Sequence, residues 1–330
     1  ARCMLANLKG RFREIVPDHL ATRLLPGDFP GRLKAWWDGE DYVPFQPDWE
    51  AVEESAAEAE PASEDPEAEA LRQRRRLEIL LSQWLWGQGN LQPGLGEEHI
   101  SLVDFLTLSK EHSAAFIGMG LGGNPRVISK HCDTWISGYE SRRWLIPTAL
   151  EQCKMQGLAR KVTVEPFVPE KFALPAKKFN AVISFEDMHG YADREHMLQQ
   201  IAIGLRPRGL FLMTDFVVKS AEGLDPAACM FNGQADLRFA SGEAYTEQIQ
   251  KTGLGVRNSR DITASYLPTI KEGWKRWRIA SNRLKKKHGG DIEPVLNDLL
   301  AEHARVWAHR LEALQGGQLA VFAFLCEKST

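Results

Sequence analysis

Ala114-Ala115-Phe116-Ile117-Gly118-Met119-Gly120-Leu121-Gly122-Gly123 (114–123) is the stretch on which the fold turns. Small and apolar residues run into four glycines within six positions, and a helix-compatible segment around 125–130 follows. Proline at 125 is tolerated near a helix start, where its missing N–H loses no bond. Glycines at such a junction permit a tight turn and let the backbone approach a ligand closely. We therefore expect a strand over 115–119 that feeds a helix over 125–130.

Working outward, the same rhythm repeats. Strands are expected over 134–139, 162–164, 179–185 and 210–218, with helices over 141–156 and 195–205. Strands alternating with helices imply a parallel sheet covered on both faces. The tail changes: a strand over 255–261, helices over 267–287 and 292–314, then a strand over 318–327 (QLAVFAFLCE). A strand, a long helical insert and a returning strand close a sheet edge as an antiparallel hairpin. The expected fold is thus α/β and doubly wound, a seven-stranded, mostly parallel sheet with a terminal antiparallel hairpin and helical lid elements.

Upstream, 71–86 reads as a helix, with Leu77, Leu80, Leu81, Trp84 and Leu85 at three- and four-residue spacing. Residues 51–70 are almost all Glu, Ala, Ser, Pro and Asp and read as a solvated linker, Pro61 and Pro66 opposing one long helix. The arm 1–50 carries Trp36, Trp37, Tyr42, Phe45 and Trp49, which either dock on the main domain or contact a partner or membrane. The main domain is expected over 71–330, with a helical lead-in (71–112), a cofactor-binding core (113–220) and C-terminal strands with a helical insert (221–330).

The 330 residues are 43% hydrophobic, ample for a core, and the formal charge of -3 argues against an overall commitment to nucleic acid. Five scattered cysteines lack the spacing of a zinc site or disulfide framework, so no metal is expected and a reducing, cytoplasmic compartment is. No secretory leader and no apolar run of roughly 20 residues is visible.

The glycine loop reads two ways. Gly118, Gly120 and Gly122 give GxGxG; Gly118, Gly120 and Gly123 give the dinucleotide pattern GxGxxG. Glu140 follows about 20 residues later, at the end of the second expected strand, where a carboxylate can accept both ribose hydroxyl protons. S-adenosylmethionine (SAM) and NAD both need this, so these features alone leave the two open.

Further motifs carry a resemblance. The run from Ala114 through Glu140 to Gly157-Leu158-Ala159-Arg160-Lys161-Val162 resembles the class I SAM-dependent methyltransferases. So do Glu170 ahead of Leu174-Pro175, the strand Phe179-Asn180-Ala181-Val182-Ile183-Ser184, and Leu205-Arg206-Pro207-Arg208-Gly209. The lead-in Trp86-Gly87-Gln88-Gly89-Asn90 and the final strand are similar to the sterol and phosphoethanolamine types. The resemblance implies SAM as cofactor, bound by Gly118, Gly120, Gly122, Glu140, Glu170 and Ser184. It implies methyl transfer by in-line displacement to a small or lipid-like molecule. There are departures: the family places an acid two residues before the first glycine, and here that position is Phe116; Asn180 replaces an Asp; Arg208 replaces a Gly.

For the chemistry, the loop after the fourth strand offers Glu186, His189 and Tyr191 as base, substrate anchor and pocket wall, or as plain loop polars. The phosphoethanolamine group has a histidine where this chain has Gly190. Glu97, Glu98 and His99 either line an entrance or belong to a helix face. The basic segment 269–288, with Trp274 and Trp277, reads as a lid or as a peripheral membrane contact. The basic helix 71–86 invites the same pair. Two other functions stay open: a catalytically silent SAM-fold interaction protein and an NAD-dependent oxidoreductase.

Overall fold

The computed structural model describes residues 65–93, 97–231, 238–287 and 294–329. All belong to one compact unit, Asp48–Thr330. The aromatic cluster of the arm, most of the linker and His288 lie outside the described residues.

The first helix, α1 (Pro66–Trp86), starts five residues earlier than expected. Asp65 caps it by accepting from the Glu67 N–H (3.1 Å), and Pro66 occupies the start of the helix, where a proline breaks nothing. Residues 66–70 are therefore helix, not linker. Gly87, at φ 90°, ends it.

After α2 (Glu97–Asp104) the chain alternates as expected: β1 (Ser113–Ile117), α3 (Gly123–Cys132), β2 (Trp135–Glu140), α4 (Ile146–Met155), β3 (Val162–Pro166), β4 (Phe179–Phe185), α5 (Arg194–Gly204) and β5 (Leu205–Val218). Then come β6 (Ala240–Ser241), α6 (Gly242–Lys251), β7 (Leu254–Asp261), α7 (Thr263–Lys287), α8 (Pro294–Gln315) and β8 (Leu319–Lys328). The sheet runs β3-β2-β1-β4-β5-β8-β7, with the two-residue β6 alongside β5. Pairings through β5 are parallel; β8 is antiparallel to both β5 and β7, which is the expected terminal hairpin. Two details differ. Strand β1 ends before the first glycine, which leaves Met119 in the loop. Strand β5 begins at Leu205 with a register jump, so that Arg206–Gly209 bulges within the strand and Arg208 takes φ 62°.

Alternation along the strands fills two cores. Ala114, Phe116, Ile183 and Leu212 face one side with α1, α7 and α8; Ala115, Ile117, Val182 and Phe211 face the other with α5 and α6. On the first side, Trp84 meets Trp277 (ring centroids 6.0 Å), and Trp86 meets Trp307 (4.8 Å) and Trp274 (6.4 Å). Such pairs add roughly 0.5–1.5 kcal/mol each beyond their burial. A side chain at Gly273 would run into the Trp86 ring, so α7 can approach α1 only with glycine there. The tryptophans proposed as membrane anchors are thus turned inward. Among the described residues no helix is long and apolar enough to cross a membrane.

Candidate active site

The order of the sheet reverses between β1 and β4, and open α/β sheets bind ligands beyond the carboxyl ends of strands at such a point. A cleft of about 590 Å³ lies there. It is walled by the glycine loop, the segment after α1, the loop after β4, and residues from α8.

Gly118, Gly120 and Gly122 adopt φ of 69°, 56° and 77°, a left-handed turn that L side chains resist. Gly122 caps α3. A buried network anchors this turn. Arg126 donates to the Leu121 carbonyl (2.7 Å) and to Gln152 (2.8 Å), Gln152 donates to Gln83 (2.8 Å), and Gln83 accepts from the Gly89 N–H (2.8 Å). The Gly123 N–H donates to the Gly89 carbonyl (2.9 Å), which ties the lead-in to the glycine loop.

Glu140 is buried directly beneath the turn. Its Oε2 accepts from the Gly120 N–H (2.6 Å), and its Oε1 accepts from the Arg142 N–H and Nε–H (2.8 and 3.0 Å). Burial alone would lower the Arg142 pKa; the adjoining Glu140 carboxylate more than offsets this and raises it. Asp187 lies over Gly118, where any Cβ would collide with its carboxylate, and it accepts the Tyr191 hydroxyl proton. Burial first and the Glu140 charge second push the Asp187 carboxyl up to about 6.

His189 sits on the short helical turn Met188–Gly190 and lines the cleft. Its Nδ1 is 2.5 Å from Oδ1 of Asp215 in β5. Asp215 is buried and also accepts from the His189 N–H (2.8 Å), the Tyr245 hydroxyl (2.6 Å) and the Phe216 N–H (2.8 Å). Burial pushes its carboxyl up, but the imidazole and these donors outweigh burial and hold it below the usual range. A carboxylate on Nδ1 fixes the proton there and leaves Nε2 as the acceptor. Glu186, at φ 45°, is also buried; its Oε1 accepts from Thr214 (2.7 Å) and lies 3.4 Å from Nε2 of His99.

The structure thus brings Gly118, Gly120, Glu186, His189 and Tyr191 to the cleft wall; Glu140 is buried behind Gly120, and Gly122 faces Met119 and Arg126 instead of the cleft. It does not bring Glu170 or Ser184 there: Glu170 is exposed on the turn Pro169–Lys171, and Ser184 is buried within the sheet, its hydroxyl unpartnered. His99 lies in the first turn of α2, buried against Phe185, and so belongs to a helix face and does not line an entrance. Asp187, Asp215, His303 and Arg310 were not singled out by sequence. For Asp215 a signal exists, a Thr-Asp pair inside the apolar run Leu210–Val218.

This sheet order with an antiparallel edge, a glycine turn after β1 and a carboxylate at the end of β2 is the architecture of the class I SAM-dependent methyltransferases. No family model matches the chain. By sequence it is similar to methyltransferase GfsG of Streptomyces halstedii (22% identical over 172 residues, 51% of this chain and 62% of that one). It is also similar to 27-O-demethylrifamycin SV methyltransferase of Amycolatopsis mediterranei (24% over 244 residues, 69% and 85%). A third relative is phosphoethanolamine N-methyltransferase 3 of Arabidopsis thaliana (22% over 193 residues, 58% and 39%). The match thus spans less than two thirds of the length of GfsG and of the plant enzyme. Among solved structures it resembles Haemonchus contortus phosphoethanolamine N-methyltransferase 2 bound to phosphomonomethylethanolamine and S-adenosylhomocysteine (TM-score 0.66, 17% identical, 78% of this chain and 58% of that one). The chain thus has the fold of the class I methyltransferases and is similar in sequence to methyltransferases.

Proposed function

We propose that the chain methylates a small molecule with SAM, using His189 as the base and Asp215 as its positioning residue. The observation that carries this reading is the conjunction, in one cleft, of a glycine turn backed by Glu140 and a buried imidazole held by a buried carboxylate.

The residues fit the cofactor. The turn is a cradle in which left-handed backbone excludes side chains at 118 and 120. The buried Glu140 carboxylate would meet the ribose hydroxyls when the half-exposed Arg142 side chain, which lines the cleft, swings aside and uncovers it. When bound, SAM supplies an electrophilic methyl group on a sulfonium that leaves as a neutral thioether. The chain positions the acceptor and excludes water. Nε2 of His189 takes the acceptor's proton as the new bond to methyl forms. Asp215 keeps the ring oriented and stabilises the imidazolium. Tyr191 and Glu186 shape the wall between cofactor and acceptor.

The silent reading is motivated by Phe116, buried edge-on against Phe185 (5.5 Å) where the resemblance calls for an acid. One experiment separates the readings. S-adenosylhomocysteine, and not NADH, is expected to raise the melting temperature, and Gly120→Asp to abolish the effect. Stabilisation by NADH, or an unchanged response in Gly120→Asp, refutes the assignment. Binding of S-adenosylhomocysteine with no methyl transfer to any small acceptor favours the silent protein.

A further inference from the structure

Arg310 of α8 is a buried cation lining the cleft, and no carboxylate among the described residues pairs with it. Its Nε donates to the Cys229 carbonyl (2.9 Å). The guanidinium otherwise lies against rings, 5.0 Å from the centroid of Trp307, 5.1 Å from Phe216 and 5.4 Å from Phe231. Burial lowers its pKa, against the opposing charges of Asp215 and Glu186 among others. Around it are polar atoms that are buried and have no hydrogen-bond partner: the Tyr266 hydroxyl, Trp307 Nε1 and His303 Nδ1. Burial first, then the charges of Arg310 and Arg74, depress His303 to about 4, so it is neutral near pH 7.

Phe216 joins this chamber to the proposed base. One flank of its ring meets His189 (5.4 Å), Arg310 lies over it, and Tyr266 stands edge-on at 6.0 Å. A cation shut into a chamber of rings, with idle donors beside it, is complementary to an anionic group on an apolar body. Of the other cations lining the cleft, Arg75 lies over Trp144 and Arg142 holds Glu140, both on the cofactor side. One guanidinium balances one negative charge. Asp215 and Glu186 stand nearby as further negative charges, so a dianionic phosphate is disfavoured.

We infer that the methyl acceptor is a ring-bearing or similarly flat carboxylate, its carboxylate paired with Arg310 and its body on Phe231 and Trp307. This rests on the methyltransferase reading and names its substrate class.

The test is isothermal titration of the protein saturated with S-adenosylhomocysteine. The probes are benzoate, 4-hydroxybenzoate and indole-3-acetate, each against its neutral amide, plus phenyl phosphate. At least one carboxylate is expected to bind tenfold or more tightly than its amide and more tightly than phenyl phosphate. Arg310→Met, which keeps the length but not the charge, is expected to lose that preference while still binding S-adenosylhomocysteine. Equal binding of acid and amide, stronger binding of phenyl phosphate, no binding of any carboxylate, or an undiminished preference in Arg310→Met overturns the inference. If Arg310→Met no longer binds S-adenosylhomocysteine, the acid–amide comparison on the parent protein decides. Failure of the parent to bind S-adenosylhomocysteine sinks the methyltransferase reading itself, a separate outcome.

Discussion

Replacing Asp187 with Asn removes a charge that the fold holds at a cost. The carboxylate lies over Gly118, accepts from Tyr191 and faces Glu140, Arg142 and His189. Burial and then Glu140 raise its pKa from the ordinary 3.8 to about 6. The native state therefore binds this proton more tightly than the unfolded chain, and stability falls as pH rises through that window. At about 1.4 kcal/mol per pH unit, the loss is about 3 kcal/mol. Solvent reaching a half-buried carboxylate reduces it to roughly 1–2 kcal/mol. Asn keeps the volume and the acceptor for Tyr191 but cannot ionise. The variant, free of ligand, is expected to gain that amount at pH 8, about 2–3 °C in Tm for a domain of this size. The gain should shrink toward zero as pH falls toward 4. Urea unfolding at pH 5 and pH 8 measures it. No gain at pH 8, or an equal gain at both, refutes the reasoning.

The same substitution should act oppositely on the cofactor. A carboxylate above the first glycine is placed to pair with an ammonium group there, so Asp187→Asn is expected to weaken S-adenosylhomocysteine binding about tenfold at pH 8, near 1.4 kcal/mol. In the parent the affinity should decline as pH drops below about 6; in the variant it should stay flat. A difference between the two that ignores pH would show that Asp187 acts through shape alone.

Glu140→Gln retains an acceptor for the Gly120 N–H but loses the charge offered to a ribose diol. A loss of about 1.5–3 kcal/mol, roughly ten- to a hundredfold in Kd for S-adenosylhomocysteine, is expected by calorimetry. His189→Ala and Asp215→Asn should each lower kcat by about a hundredfold or more and leave S-adenosylhomocysteine affinity nearly unchanged; equal losses in both quantities would mean that the pair only supports the cleft. Arg208→Gly relieves a left-handed residue in the bulge of β5, far from the cleft, and should stabilise by about 0.5–1 kcal/mol in urea unfolding with no change in affinity.

The sheet and the glycine turn at its switch point were legible because their signals are local. A glycine turn needs neighbouring glycines, and a parallel strand buried on both faces is a short apolar run. Glu140 was found because the span from the turn to the end of β2 fixes its distance in sequence. Boundaries slipped where two local rules competed. Pro66 reads as a helix breaker in an acidic linker, yet with Asp65 before it the same proline is a helix start. The segment Leu205–Gly209 resembles the family's turn before the fifth strand, yet β4 pairs with Leu205 and again from Leu210, which leaves a bulge within one strand. Ser184 and Glu170 came from the resemblance alone, and the side chains here point elsewhere or lie outside the cleft.

The acceptor half was illegible for a different reason, and the reason can be read in α8. Its buried positions are Leu296, Leu299, His303, Val306, Trp307, Arg310, Ala313 and Leu314, an apolar stripe at three- and four-residue spacing. His303 and Arg310 occupy places in that stripe where the pattern calls for leucine. Counted by composition they are two more polar residues on a helix rich in them; counted by phase they break the buried face. Such a break is costly unless something polar meets it. For Arg310 the described residues supply rings and one carbonyl, with no carboxylate among them paired to it. Asp215 breaks the phase of β5 in the same way, but there His189 and Tyr245 complete it from within. The two interruptions therefore differ in their neighbours, the one carrying the proposed base and the other the proposed acceptor site, and only the three-dimensional structure tells them apart.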